Sequence, residues 1–133
     1  MAKAKVTKKA TKKQKQTVTT GVGRVYVSTT FNNTIVTVTN EKGDAVAWSS
    51  AGSAGFKGAR KSTPFASTSV AEEALKKAKT LGVNSVEVYI KGPGVGRDAA
   101  LRAIRNSGMS IAMIADITPI PHNGPRPKKR RRN

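Results

Sequence analysis

Three glycines at every second position, in residues 91–97, constrain the fold of this chain more than any other stretch. The stretch follows an alternating run at 85–90 that is typical of a strand, and it precedes a run at 98–106 with helical spacing. Glycine lets a backbone turn sharply and approach another backbone closely. The sequence therefore predicts a strand that passes through a tight turn into a helix, whose unpaired N–H groups favour binding of phosphate.

Five further stretches have the periodicity of regular secondary structure. Strands are predicted where β-branched and aromatic residues alternate with polar ones, and a helix where small and aliphatic residues recur at helical spacing after a proline. The almost continuously apolar stretch 110–117 favours a strand buried on both faces. The predicted strands are 24–30, 34–39, 45–50, 85–90 and 110–117, and the predicted helices are 64–81 and 98–106.

The order of these elements predicts the fold class. Short turns such as 40–44 join the first three strands, which is typical of an antiparallel meander. A strand, a helix and a second strand in succession imply a parallel pair with a right-handed crossover. We therefore expect an α/β domain with a mixed five-stranded sheet, made of a three-strand antiparallel meander and two parallel strands, and two main helices.

The charge of the chain is concentrated at its ends. The formal net charge is +18, and residues 1–20 contain seven lysines and no acid. The last residues are similarly rich in lysine and arginine, whereas the middle of the chain is only mildly basic. This distribution predicts a basic N-terminal arm at 1–20, a globular domain at 21–121 and a basic C-terminal arm at 122–133. A protein of this kind is expected to bind a polyanion, most simply nucleic acid.

Several classes of protein are excluded or disfavoured by what the sequence lacks. The chain has no cysteine, which excludes disulfides, thiolate nucleophiles and cysteine-bound zinc. We expect no secretory signal, because no apolar segment of the required length follows the basic start. No apolar run approaches the length of about 18 residues that a membrane helix needs, so no membrane partner is expected.

The glycine turn does not fit a nucleotide cofactor. Its spacing is G-x-G-x-G, where the dinucleotide fingerprint requires G-x-G-x-x-G, and Asp98 would repel a pyrophosphate at the start of the helix. The G-K-[ST] ending of a phosphate-binding P-loop is also missing. We therefore expect no cofactor and no small-molecule substrate. A tight strand-to-helix connection without any ligand remains an alternative.

Catalysis is not expected either. His122 is the one histidine, and no carboxylate follows Asp116, so a catalytic partner downstream is missing. The carboxylates are scattered apart from Glu72 and Glu73, which does not predict a metal site. His122 is instead expected either to make a polar contact with nucleic acid or simply to form part of a turn.

Three parts of the chain combine glycine or proline with cations, as an RNA-binding surface would. They are the loop 55–61, the glycine turn with the helix after it, and the C-terminal arm, whose basic run also resembles a nuclear localisation signal. Phe56 either anchors its loop against the core, which we favour, or stacks on a base. The candidate RNA-binding residues are Asn32, Asn33, Lys57, Arg60, Lys61, Lys91, Gly92, Gly94, Gly96, Arg97, Arg102, Arg105, His122, Asn123, Arg126, Lys128, Lys129, Arg130, Arg131 and Arg132.

These motifs, taken in order along the chain, resemble the bacterial family of small-subunit ribosomal protein eleven. The resemblance covers the globular domain and the C-terminal arm and leaves out residues 1–20. Its most specific part is the last motif. The motifs are FNNTIVTVT at 31–39, WSSAG at 48–52, GFKGARKSTPFA at 55–66, KGPGVGR at 91–97 and DITPIPHNGPRPKKRR at 116–131.

The resemblance implies a non-catalytic protein of the cytoplasmic ribosome with a ribonuclease-H-like fold. It implies that the protein binds small-subunit ribosomal RNA in the platform and helps shape the cleft where messenger RNA pairs upstream of the start site. It also implies that platform proteins six, seven and eighteen are neighbours. Asn32, Asn33, His122 and Asn123 are candidate RNA contacts through these motifs.

Two other functions are compatible with the sequence. A non-ribosomal protein that compacts nucleic acid would need the basic arms and not the glycine loops. A nuclease would need a cluster of acidic residues, which the sequence does not show. If such an enzyme existed here, replacement of Asp116 or Asp44 would abolish metal-dependent cleavage.

Overall fold

The computed structural model describes residues 21–133, and the predicted N-terminal arm lies outside the described residues. The chain forms an α/β fold in which the sequence order of strands and helices is that expected from periodicity. The strands are β1 (Val22–Thr29), β2 (Thr34–Asn40), β3 (Ala45–Ser50), β4 (Ser85–Lys91) and β5 (Ser110–Asp116), and the helices are α1 (Pro64–Thr80) and α2 (Gly96–Asn106).

The five strands form one mixed sheet in the order β3-β2-β1-β4-β5. The first three strands pair antiparallel as a meander, and β4 pairs parallel with both β1 and β5. The central strand β1 thus has an antiparallel neighbour on one side and a parallel neighbour on the other. The predicted fold class is confirmed.

One face of the sheet is covered by the helices. Along β1 the burial alternates, so that Val25 and Val27 face the core while Arg24 and Tyr26 lie on the opposite, partly exposed face. On that opposite face Tyr26 stacks on Tyr89 of β4, with ring centroids 5.2 Å apart. The alternation arises because successive side chains of a strand point to opposite faces of the sheet.

Helix α1 lies close to the sheet because its inner face is largely alanine. Its buried residues recur at three- and four-residue spacing, and the small side chains among them allow a close approach to β2 and β3. The helix begins as predicted, with Thr63 accepting a hydrogen bond from the Ala66 amide and Pro64 in the first turn. Helix α2 packs mainly against α1, with Ile104 fully buried between them and the sheet.

The prediction that residues 110–117 are buried on both faces is wrong. In β5 the side chains of Met113 and Ile114 are 43% and 55% exposed. The strand is at the edge of the sheet, and the helices make their main strand contacts with β1, β2 and β3. A continuous apolar run therefore does not distinguish a central strand from an uncovered edge strand.

Two local features also differ from the sequence prediction. Helix α2 begins at Gly96 and not at Asp98, so the last glycine of the turn belongs to the helix. A short 3₁₀ helix at Gly58–Ser62, which the periodicity did not indicate, leads into α1. Both differences shorten the irregular parts of the glycine-containing loops.

We expect Ile104→Ala to lower the free energy of unfolding by about 2–5 kcal/mol, because the change leaves a cavity between α1, α2 and the sheet. The matched control is Ile120→Ala, since Ile120 is 81% exposed whereas Ile104 is fully buried. The control should change stability by less than about 0.5 kcal/mol. Urea unfolding of both variants measures the difference, and equal losses would mean that α2 does not close the core.

Candidate nucleic-acid interface

Four loop segments leave the sheet at the same end. The register pairs Thr29 with Thr34, so the turn between β1 and β2 lies there. Ser50 pairs with Ile35 at the end of β3, where the segment 51–63 begins. Because β1, β4 and β5 are parallel, the glycine turn after β4 and the chain after β5 emerge at this end as well. We call this end of the sheet, with its four segments, the loop end.

The turn between β1 and β2 is closed by Thr30. Its backbone amide donates to the Asn33 carbonyl at 2.9 Å, and its hydroxyl accepts from the Asn33 amide at 3.0 Å. The side chain of Asn33 accepts a hydrogen bond from the Thr34 amide, whereas Asn32 is exposed at the tip. Asn33 thus shapes the turn, and Asn32 points to solvent.

The segment 51–63 is tied to the turn between β1 and β2 and to the core. The Ala51 amide donates to the Thr34 carbonyl, and the Phe56 amide donates to the Ala51 carbonyl. Phe56 packs against the core and meets Phe65 edge to face, with ring centroids 5.8 Å apart. This confirms the interpretation of Phe56 as an anchor. Lys57 and Arg60 are exposed beside it and line the same shallow groove.

The three glycines of the turn pack against this chain's own atoms. Gly92 and Gly94 have positive φ angles of 95° and 135°. A Cβ on Gly92 would overlap the Thr29 carbonyl oxygen, and one on Gly94 would lie 2.9 Å from the Thr30 carbonyl oxygen. Intrachain packing therefore requires these glycines, whatever their exposed backbone atoms bind.

The third glycine of the turn, Gly96, lies against a buried pair of hydroxyl groups. The hydroxyls of Thr34 and Ser67 are 2.8 Å apart in a hydrogen bond between β2 and α1. A Cβ on Gly96 would overlap Ser67 and lie 2.8 Å from the Thr34 hydroxyl. The start of α2 is thereby held against both β2 and α1.

The side chain of Arg97 is partly exposed, and it also donates hydrogen bonds to other residues of the protein. Its Nη2 donates to Oδ2 of Asp116 at 2.6 Å, and its Nη1 donates to the Gly92 carbonyl at 3.2 Å. The Asp116 carboxylate also accepts from the hydroxyl and the amide of Thr118, at 2.6 and 3.0 Å. The Thr118 hydroxyl in turn accepts from the Gly92 amide at 3.1 Å. This network joins the glycine turn to the chain that follows β5.

The hydrogen bonds of Thr118 and the guanidinium of Arg97 hold the pKa of the Asp116 carboxyl far below its usual range. The carboxylate is still half exposed, with 50% of its side-chain surface accessible. It is therefore ionised throughout the physiological range, and it offsets the charge of Arg97 at the loop end.

The remaining candidate cations lie farther along the surface. Arg102 and Arg105 are exposed on α2, and Arg105 is about 13 Å from Gly96 along the helix axis at 1.5 Å per residue. Lys61 is half-buried, and Lys91 is exposed at the end of β4. The structure thus brings the loop segments together and places Arg105 toward the other end of the molecule.

Residues 117–133 follow β5 without a helix or strand, and they are exposed. His122 and all the cations of the predicted C-terminal arm lie in this stretch. Asn123 is the non-glycine residue with a positive φ among the described residues, at 63°, which suits a turn with Gly124.

Two parts of this site were not predicted from the sequence. Asp116 and Thr118 were not recognised as partners of the glycine turn, because 19 residues separate Asp116 from Arg97 and no local pattern links them. The Thr34–Ser67 hydroxyl pair was missed for the same reason. The parallel pairing of β4 with β5 is the one signal that would have placed Asp116 near the turn.

Residues 21–133 contain no group of three histidine, cysteine or acidic side chains that could hold a metal ion. None of the helices there has the length and apolar character to cross a membrane.

Comparison with known families decides the relationship of the chain. The sequence pattern of the family described as ribosomal protein S11 matches residues 21–132, which is nearly the whole described part. The chain belongs to the ribosomal protein S11 family. The family match includes the loop end and almost all of the C-terminal stretch, and it confirms the resemblance found in the motifs.

Individual relatives agree with the S11 assignment. A protein of Borreliella burgdorferi (strain ZS7) is 58% identical over 129 residues, covering 97% of this chain and 98% of the relative. A protein of Nitratidesulfovibrio vulgaris is 55% identical over 124 residues, covering 93% and 96%. Both are named small ribosomal subunit protein uS11. As an S11 family member the chain is a ribosomal protein, and its relatives are not named as enzymes.

We expect Gly92→Ala to lower the free energy of unfolding by about 2 kcal/mol or more, because alanine is strained at positive φ and overlaps the Thr29 carbonyl. Gly52→Ala is the matched control, since its nearest contact would be the Ser50 hydroxyl at 3.9 Å. Thermal unfolding of both proteins checks this, and an unaffected Gly92 variant would mean that the turn moves freely away from β1.

The lowered pKa of Asp116 also predicts a pH dependence. A carboxyl with a depressed pKa stabilises the fold fully above its ordinary value of 3.8, and this contribution declines progressively as the pH falls from that value toward the much lower pKa of the folded state. We therefore expect Asp116→Asn to be less stable than the unaltered protein at neutral pH and the difference to shrink at about pH 3. Urea unfolding at both pH values measures it, with Glu41→Gln in the turn between β2 and β3 as the control of equal charge. A gap that stays constant with pH would contradict the assignment.

Proposed function

We propose that this protein binds small-subunit ribosomal RNA through the loop end and the C-terminal arm. The observation that carries the proposal is the convergence of four segments at one end of the sheet. Three of them bear the candidate cations of the sequence analysis, among them Lys57, Arg60 and Lys91. Lysine and arginine side chains on neighbouring loops suit the phosphate groups of a folded RNA.

The charge distribution within the described part supports this surface. The turn between β2 and β3 at the opposite end of the sheet contains Glu41 and Asp44. At the loop end the acids are Asp116, which pairs with Arg97, and Asp98 in the first turn of α2. Among residues 21–133, Arg97 is the one candidate RNA-binding cation in an ion pair with a carboxylate. The other candidate cations of this part of the chain form no ion pair with a carboxylate, so they are available to bind an external anion.

The family supports a more specific place for the protein. We propose that it lies in the platform of the small subunit of the cytoplasmic ribosome and helps shape the cleft in which messenger RNA pairs upstream of the start site. Ribosomal proteins six, seven and eighteen are the proposed neighbours. In this proposal residues 21–121 form the RNA-binding domain, and residues 122–133, with His122 and Asn123, form an arm that enters the RNA.

Salt dependence provides the first test. A chain that ends at Gly124 lacks six cations. We expect the slope of log K against log salt for small-subunit ribosomal RNA to fall by about four to five units, because each phosphate contact contributes about 0.7–0.9. Filter binding over a series of salt concentrations measures the slope. An unchanged slope would show that the arm does not touch the RNA.

A pair of double variants separates specific binding from general compaction of nucleic acid. Lys57→Ala with Arg60→Ala removes two charges at the loop end, and Lys42→Ala with Lys76→Ala removes two charges elsewhere. We expect the first pair to weaken binding about tenfold or more at moderate salt and the second pair to have a much smaller effect. Equal losses would favour a protein that compacts nucleic acid without a defined surface.

A further inference from the structure

The C-terminal arm leaves the sheet at a point that is fastened by several hydrogen bonds. Asp116 is the last residue of β5, and residues 117–121, which we call the connector, follow it directly. The Ile117 amide donates to the Ile90 carbonyl at 2.8 Å, and the Thr118 hydroxyl accepts from the Gly92 amide. The first two residues of the connector are therefore bound to the end of β4.

The carboxylate of Asp116 lies at the centre of this hydrogen-bond network. One of its carboxylate oxygens accepts from Arg97 at the start of α2, and the other accepts two hydrogen bonds from Thr118 in the connector. A single side chain thus joins a helix, the edge strand and the departing chain. Charge-assisted hydrogen bonds of this kind are shorter and stronger than neutral ones.

The connector is stiff, so the direction in which it leaves the sheet depends on the backbone angles at Thr118. Pro119 and Pro121 fix their own φ angles and restrict the residues before them to extended conformations. A proline-rich stretch extends by about 3.1 Å per residue and bends little over several residues. A small change of angle at Thr118 therefore displaces the start of the arm at residue 122, and with it the cations that follow.

We propose that Asp116 is a positioning residue that fixes the direction of the C-terminal arm and so directs the arm's cations to the RNA. The inference rests on the proposed function, since it requires the arm to bind RNA. Asp116 is negatively charged, so it does not bind phosphate itself. Its charge also allows a positioning role to be distinguished from a simple electrostatic effect.

The test variant is Asp116→Asn, because electrostatics and the positioning role predict opposite changes in its affinity for RNA. Asp116→Asn removes a negative charge from a protein that binds a polyanion, so electrostatics alone predicts tighter binding. Asparagine keeps the size of the side chain but cannot form an ion pair with Arg97, so the positioning role predicts weaker binding. We expect affinity for small-subunit ribosomal RNA to fall about tenfold through the loss of a preorganised arm. Equal or tighter binding would overturn the inference.

Glu41→Gln is the charge-matched control. Glu41 lies in the turn between β2 and β3, at the opposite end of the sheet from Asp116. Its replacement should leave the affinity unchanged or raise it by less than about twofold, since exposed charges more than a Debye length away are screened by salt. A tenfold loss in the control as well would show that removal of any acid impairs the protein, and this outcome would also overturn the inference.

Truncation separates positioning from a general loss of structure. In the chain that ends at Gly124, Asp116→Asn should no longer weaken binding, because the cations that it directs are absent. If Asp116→Asn weakens binding equally with and without residues 125–133, the residue supports the fold and does not position the arm. If truncation itself leaves binding unchanged, the proposed function of the arm fails, and this result is distinct from failure of the Asp116 variant alone.

A measurement on the free protein completes the test. The chain has no cysteine, so Thr80→Cys and Asn133→Cys create two defined sites for fluorescent labels. We expect energy transfer between them to report a broader distance distribution after Asp116→Asn, while circular dichroism shows an intact fold. An unchanged distribution would overturn the inference without any reference to RNA.

Discussion

The approach of the glycine turn to the end of β1 is the contact on which the loop end depends. Gly92 and Gly94 lie so close to the carbonyl oxygens of Thr29 and Thr30 that a side chain has no room. Gly96 then lies against the Thr34–Ser67 pair, so that α2 begins beside both the sheet and α1. Because these contacts fix the start of α2, they also fix Arg97 and, through it, Asp116. The arrangement of the loop end thus requires three residues without side chains, Gly92, Gly94 and Gly96.

This arrangement holds the charged loops on a rigid support. The helices and the sheet bury the apolar side chains, whereas most of the candidate RNA contacts lie on loops and on the chain after β5. Loops positioned by a packed scaffold are the usual place for binding residues, since buried backbone would lose its hydrogen bonds to water. Phe56 illustrates the division, because its ring is fastened to the core while Lys57 beside it faces solvent.

Periodicity and turn residues were sufficient to predict nearly all elements of the fold, because the strands alternate clearly and α1 has a proline and a threonine cap at its start. They did not predict the exposure of β5, since the sequence of a strand does not state which neighbours cover it. The candidate cations were visible as residue types. Their convergence was not, because it follows from strand register, and the pairing of Arg97 with Asp116 depends on contacts between distant segments.

The exposed edge strand β5 affects how the protein behaves before it binds RNA. Its outer edge has no neighbouring strand in the described sheet, and its apolar side chains include Met113 and Ile114. Such an edge is a template on which a second copy can add its own strand and start aggregation. The net charge of +18 opposes this, because two copies repel each other before their edges meet. The cations that attract the chain to RNA thus also oppose association of the unassembled chains.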